Sequence, residues 1–413
     1  MCVEGRQDGV ADLIRRCGFN SFFLGGFESS AHVLANGKRL DMIGATCHDT
    51  YAREDYHRLK SVGIKSARDA IRWHLIERRP YIYEWSSVLP MVRAARETGT
   101  QIIWDLCHYG WPDDIDIFRP EFVHRFCAFA RAFAVLIFNE TDDTPYFAPM
   151  NEISFVAWGG GDHGFINPFA VNRGLELKCQ LVRATIAAIE AIRDVAPHAR
   201  FVQVDPVINV VTGETASEAQ KKVAADYTLA QFEAHDMIAG RIWPQLGGRP
   251  DYLDILGANY YVHNQWELDA KFLERTDSRY RPLSELLADL YHRYERPLFL
   301  AETGIEDDLR PEWLSYVAGE VIDAIDQGIP IEGICLYPIT NHPGWDDERH
   351  CHNGLWDYCN ESGHREIYKP LAEELRIQTV RIEQALSRAE ARRYRIQAPA
   401  HDLREETSAR ASH

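Results

Sequence analysis

Long apolar runs are missing from this sequence. No segment approaches the roughly 20 residues needed to span a bilayer, so no membrane association is expected. Basic residues are scarce as well: 45 Lys and Arg stand against 62 Asp and Glu, a net charge of −17. A nucleic-acid surface needs clustered cations to match phosphates, so no nucleic-acid partner is expected. The acidic balance speaks for solubility and names no partner. The nine cysteines are odd in number and form no CxxC pair. That usage suits isolated thiols in a reducing compartment better than a disulfide framework. The opening stretch MCVEGRQDGVADLIRRCG contains acidic residues and no apolar core, unlike a secretory signal. A cytoplasmic protein is expected. A Gly-rich phosphate loop after an early strand is also missing, since GGFESS does not have that form, and this weighs against a doubly wound nucleotide-binding sheet.

What the chain does contain is a repeated alternation of short β-rich and longer helical segments. Strands are expected over 21–27, 63–71, 101–109, 145–152, 199–207, 252–261, 296–304 and 331–339. Several are near-continuous apolar runs, as parallel strands covered on both faces should be. Helical stretches lie between them, such as 85–99 and 312–328, the latter ending at the stop signal Gly328. Eight such units predict a single-domain α/β fold, a (β/α)8 TIM barrel over residues 1–380. Residues 381–413 read as a charged helical extension followed by a disordered end.

In a barrel of this kind the loops after the strands build the site, so polar residues at strand C-termini matter most. Arg68 lies on strand 2, His108 ends strand 3, and Asn151 and Glu152 end strand 4 in FAPMNEI. Asn259, Tyr260 and Tyr261 end strand 6, Glu302 ends strand 7 in LFLAETG, and strand 8 runs into His342 and Trp345. Glu152 and Glu302 are 150 residues apart in sequence, yet a barrel would set them across its mouth. Two carboxylates in unlike environments suit glycosidic cleavage, one as proton donor and one as nucleophile. Arg68 and a tyrosine hydroxyl would favour the ionised nucleophile. A less polar surrounding, here Phe155 and Trp158, would raise the pKa of the acid. Each residue also has a plainer explanation. Asn-Glu after a strand often caps a helix. Arg68 could pair with Asp69 or Glu302 structurally, Tyr260 and Tyr261 could be core, and His108 could be a satisfied structural histidine.

Taken together these residues resemble glycoside hydrolase family 1, the β-glucosidase family, over about 21–358. MNEI is similar to that family's Asn-Glu-Pro, which implies Glu152 as acid/base and Asn151 as a ligand of the sugar 2-hydroxyl. LAETG is similar to Thr-Glu-Asn-Gly, which implies Glu302 as nucleophile. LGANYY resembles the strand whose second tyrosine bonds the nucleophile, here Tyr261. Arg68, His108 in DLCHYGWP and Trp345 in NHPGWDD fall on the family's arginine, sugar-binding histidine and stacking tryptophan. Two positions depart from the pattern. His32 stands where a glutamine grips the 3- and 4-hydroxyls, and Gly344 where a glutamate grips the 4- and 6-hydroxyls. Ile153 and Thr303 replace the family's proline and asparagine.

The resemblance implies a cofactor-free retaining β-glycosidase with altered glycone recognition, acting on a small glycoside or oligosaccharide. Transglycosylation on the same site and a non-catalytic carbohydrate-binding barrel are the alternatives. His32, His342, Asp346 and Asp347 are the residues available to replace the missing glycone ligands. A metal-dependent hydrolase built on His350-Cys351-His352 is disfavoured, because histidines two apart do not have helical ligand spacing. Nothing in the sequence fixes the sugar, the linkage or the oligomeric state.

Overall fold

The computed structural model describes residues 17–397. The opening stretch with Cys2 and the end of the tail, 398–413, lie outside the described residues. Eight parallel strands close into a barrel in chain order: β1 Phe23–Gly26, β2 Ser66–Ala70, β3 Gln101–Asp105, β4 Tyr146–Ala148, β5 Arg200–Pro206, β6 Ile255–Asn259, β7 Leu298–Thr303 and β8 Ile331–Leu336. Each falls inside an expected segment. Closure comes from β1 lying between β2 and β8, with Leu24 opposite Ser66 and Phe23 opposite Ile334.

Helices cover the outside: α1 His48–Ser61, α2 Leu89–Thr98, α3 Pro120–Glu140, α4 Gly174–Arg193, α5 Glu218–Ala230, α6 Glu233–Ile238, α7 Leu283–Tyr294, α8 Arg310–Asp326 and α9 Lys369–Gln397. Gly99, at φ +64°, caps α2, where a left-handed residue lets the chain turn back toward β3.

The two faces of the strands carry different cores. Outward side chains join the large apolar layer under the helices. Inward ones, among them Leu24, Ile103, Tyr146, Val202, Ile255, Phe299 and Cys335, pack into a second cluster that fills the barrel. Strand β2 contributes Arg68 to the interior, fully buried, while the next residue, Asp69, points out toward α1 and bonds His48 and Tyr56. The two-residue period of a strand separates these neighbours.

Strand β7 breaks that period. Ala258 of β6 faces Leu300, but Asn259 faces Glu302, so Ala301 is an extra residue. Strict alternation would send Glu302 outward with Leu298 and Leu300; the bulge turns it into the barrel.

Cys47 and Cys359, both free thiols, influence one another although 312 residues separate them. Among the described residues, no helix is long and apolar enough to cross a membrane.

Candidate active site

Glu302 reaches the barrel mouth held by two donors. Arg68 Nη1 donates to its Oε1 at 2.9 Å and the Tyr261 hydroxyl to its Oε2 at 2.9 Å. Arg68 also donates to Asp105, to Asn151 Oδ1 and to the carbonyl of Ala301. It makes no bond to Asp69. The tyrosine pair divides: Tyr260 stacks on Trp313 and bonds the Tyr280 hydroxyl in the core, and only Tyr261 faces Glu302.

Asn151 is tied to three side chains. Because Arg68 can only donate, it must meet Oδ1, and this turns Nδ2 toward His108 Nε2 at 3.1 Å and the Tyr109 hydroxyl at 3.0 Å. His108 then accepts through Nε2 and donates through Nδ1 to Asp105 at 3.2 Å. Burial disfavours a charge on His108, but the Asp105 bond and the charges of Glu28 and Glu302 outweigh it and raise its pKa.

Glu152 heads a one-turn helix at φ +47°, a left-handed conformation uncommon for a residue with a Cβ. Its side chain makes no capping bond, so the plain helix-cap explanation does not hold. Instead Asn259 Nδ2 donates to Oε1 at 2.8 Å, and the Tyr109 hydroxyl donates to Oε2. No cation joins them. Burial and the neighbouring Glu302 push its pKa up to about 8, against the two hydrogen bonds. Of the aromatics expected to desolvate it, Phe155 packs on Tyr109 at 5.5 Å, but Trp158 is 42% exposed and lies against Phe155, His163 and Phe165. Trp158 therefore does not supply that burial.

His32 and Trp345 meet edge to face at 4.5 Å, with Tyr109 beside both. Both ring nitrogens of His32 are buried without a partner, and burial pushes its pKa down to about 4. The other expected substitutes separate. His342 bonds Asn353 and the Pro343 carbonyl, whereas Asp346 and Asp347 are exposed, and Asp347 pairs with Arg349. Neither aspartate enters the site.

Three residues of this network escaped the sequence reading, Glu28, Asp105 and Tyr109, while Asn259 was reached as a strand end without a role. Asp105 ends β3, but the expected strand runs on to 109 and places His108 at its end. Tyr109 lies beside His108 in DLCHYGWP, and Glu28 lies in GGFESS just beyond the first strand. Among the described residues, no group of three or more His, Cys, Asp or Glu side chains is placed to hold a metal ion, the 350–352 stretch included.

Fold and site define a TIM barrel with two buried carboxylates facing its mouth, from strand ends 4 and 7. The solved structures with this fold include a family 1 β-glucosidase from Thermotoga maritima, 17% identical at TM-score 0.69 over 87% of this chain and 98% of that one. The Thermotoga maritima β-glucosidase in complex with deoxynojirimycin is 15% identical at TM-score 0.68 over 86% and 97%. The complex with glucoimidazole is 17% identical at TM-score 0.69 over 87% and 97%. No family model matches the sequence, and no curated protein matches it. The likeness is one of fold.

Proposed function

We propose that this protein is a retaining β-glycosidase. One observation carries the reading: two carboxylates share one buried network in opposite environments, Glu302 held by a guanidinium and a phenol, Glu152 by neutral donors only. Glu302 attacks the anomeric carbon as the bond to the leaving oxygen breaks, and Glu152 gives that oxygen its proton. Water then attacks the glycosyl-enzyme, Glu152 takes its proton, and Glu302 leaves; two inversions give retention. Arg68 and Tyr261 hold Glu302 and aim it. Asn151, His108, His32 and Trp345 bind the glycone. The β-glucosidases that share the fold, solved with deoxynojirimycin and glucoimidazole, support a small glycoside as substrate. The reaction needs no cofactor, and the free thiols favour a reducing, cytoplasmic setting.

The test is a panel of aryl β-glycosides with product configuration followed by NMR. A β-configured first product is expected, with a burst of phenol abolished by Glu302→Ala. Inversion, or full turnover by Glu302→Gln, would sink the assignment.

A further inference from the structure

Glu28 belongs to none of the motifs that pointed to this site, yet its charge acts on His32, His108, Tyr109 and Tyr261 within it. Leu24 points into the barrel, a Cβ on Gly26 would lie 2.1 Å from the Tyr337 ring on the same face, and Glu28 follows in the same alternation. Phe27 between them points the other way and stacks on His48 at 3.6 Å, which fixes the direction of its neighbours.

The carboxylate is buried. Its one hydrogen bond comes from the Ser30 backbone N–H at 3.1 Å, and no Lys or Arg pairs with it among the described residues. Burial opposes its charge, but His342 and His108, helped by Ser30, hold its pKa below the usual carboxylate range. Its field reaches His32, His108, Tyr109, Tyr261 and Tyr337. A second observation points to a ligand at the same place. Both nitrogens of His32 and the hydroxyl of Tyr337 are buried with no partner. Native folds leave few such groups, and a hydroxyl-rich guest would satisfy them.

We propose that Glu28 is the glycone-reading carboxylate of this site, accepting hydrogen bonds from sugar hydroxyls while His32 donates beside it, and that it takes over the task left open at Gly344. The inference rests on the glycosidase reading and deepens it by naming the glycone class. Arg68, the guanidinium at the centre, is already committed to Glu302, Asp105 and Asn151. Arg39, whose charge reaches His32, is likewise committed, to Asp113 and two backbone carbonyls. Glu28 and Glu302 therefore face the sugar with no spare cation, so the glycone is neutral, and uronides and sugar 6-phosphates are excluded.

The experiment compares the full-length protein with Glu28→Gln, which keeps the shape and removes the charge. Substrates are 4-nitrophenyl β-glycosides, their monodeoxy analogues, the glucuronide and the 6-phosphoglucoside. Glu28→Gln should lower kcat/KM on the parent glycoside about tenfold or more, mainly through KM. The penalty for deleting the hydroxyl that Glu28 reads should shrink in the variant, while penalties at other positions stay. An equal loss on every substrate, no loss, or turnover of the anionic sugars matching the neutral ones would overturn the proposal. Should the unmodified protein hydrolyse none of these, binding of methyl β-glycosides is read by tryptophan fluorescence. Saturable binding weakened by Glu28→Gln keeps the inference while the glycosidase reading fails; no binding by the unmodified protein overturns both.

Discussion

At the residue scale, Glu152 joins a strained backbone to a costly side chain. A left-handed φ on a non-glycine residue costs of order 1–3 kcal/mol, and the fold holds it there. The protonated form is the one the site favours, since burial and Glu302 raise its pKa. In the proposed mechanism Glu152 is the general acid and must carry its proton, so kcat/KM should fall about tenfold per pH unit above about 8. Tyr109→Phe removes a bond that lowers this pKa and should move the alkaline limb to higher pH. Glu152→Gln should abolish the limb together with most of the turnover. A limb that Tyr109→Phe moves downward would count against Glu152 as the titrating group. Stability follows the same sign. A carboxyl whose folded pKa lies above its unfolded one stabilises fully below the unfolded value, and that contribution is lost as pH rises through about 8.

His32 makes a second prediction at this scale. Two unpartnered buried nitrogens cost the fold about 1–3 kcal/mol each. His32→Leu should therefore raise the thermal midpoint by a few degrees while weakening sugar binding. A scanning calorimetry midpoint at or below that of the unmodified protein would argue against an unsatisfied histidine. Glu152, Glu302, Arg68 and Tyr261 were legible in the sequence because strand ends and short motifs mark them. Glu28 and Tyr109 were not, because their importance comes from burial and from neighbours on other strands.

At the scale of elements, one buried charge cluster fastens α1 to the antiparallel pair Trp356–Cys359 and Arg365–Ile367. Asp55 of α1 bonds His48 at 2.9 Å and the Arg365 guanidinium at 2.8 Å, and His48 also bonds Asp69 of β2 at 2.8 Å. Burial disfavours the charge on His48, but its two aspartates raise its pKa to about 9. Asp55→Asn strands an arginine and should cost about 3–5 kcal/mol in equilibrium urea unfolding. The same cluster predicts a pH window. The stabilisation from His48 is complete below its unfolded pKa of about 6.5 and lost as pH rises through about 9. A urea midpoint unchanged between those pH values would exclude a charged His48. None of this was visible beforehand: no motif or strand end marks Asp55, His48 or Arg365, whose partners lie far away in sequence. The eight barrel strands were visible because buried parallel strands are apolar runs. The short pairs outside the barrel, such as Asn209–Val211 with Gln265–Glu267, were not, since three residues carry no readable period.

For the whole molecule, helix α9 presents Leu371, Leu375, Gln378, Ile382 and Ala385 as a buried seam spaced four and three residues apart, and it packs along α8. Each large apolar side chain in that seam contributes about 1.5–3 kcal/mol. A chain ending at Tyr368 should lose several kcal/mol and melt well below the full-length protein, with the catalytic network untouched in sequence. Equal midpoints for the two chains would show the seam to be dispensable.

Closure of the barrel by β1 against β8 has a further consequence. Phe23 waits for Ile334, more than 300 residues later, before its edge is covered. A product of premature termination before β8 keeps two open, apolar strand edges, those of β1 and β7, and open edges pair with one another across molecules. Nonsense alleles of this protein should therefore yield aggregates rather than partial enzymes.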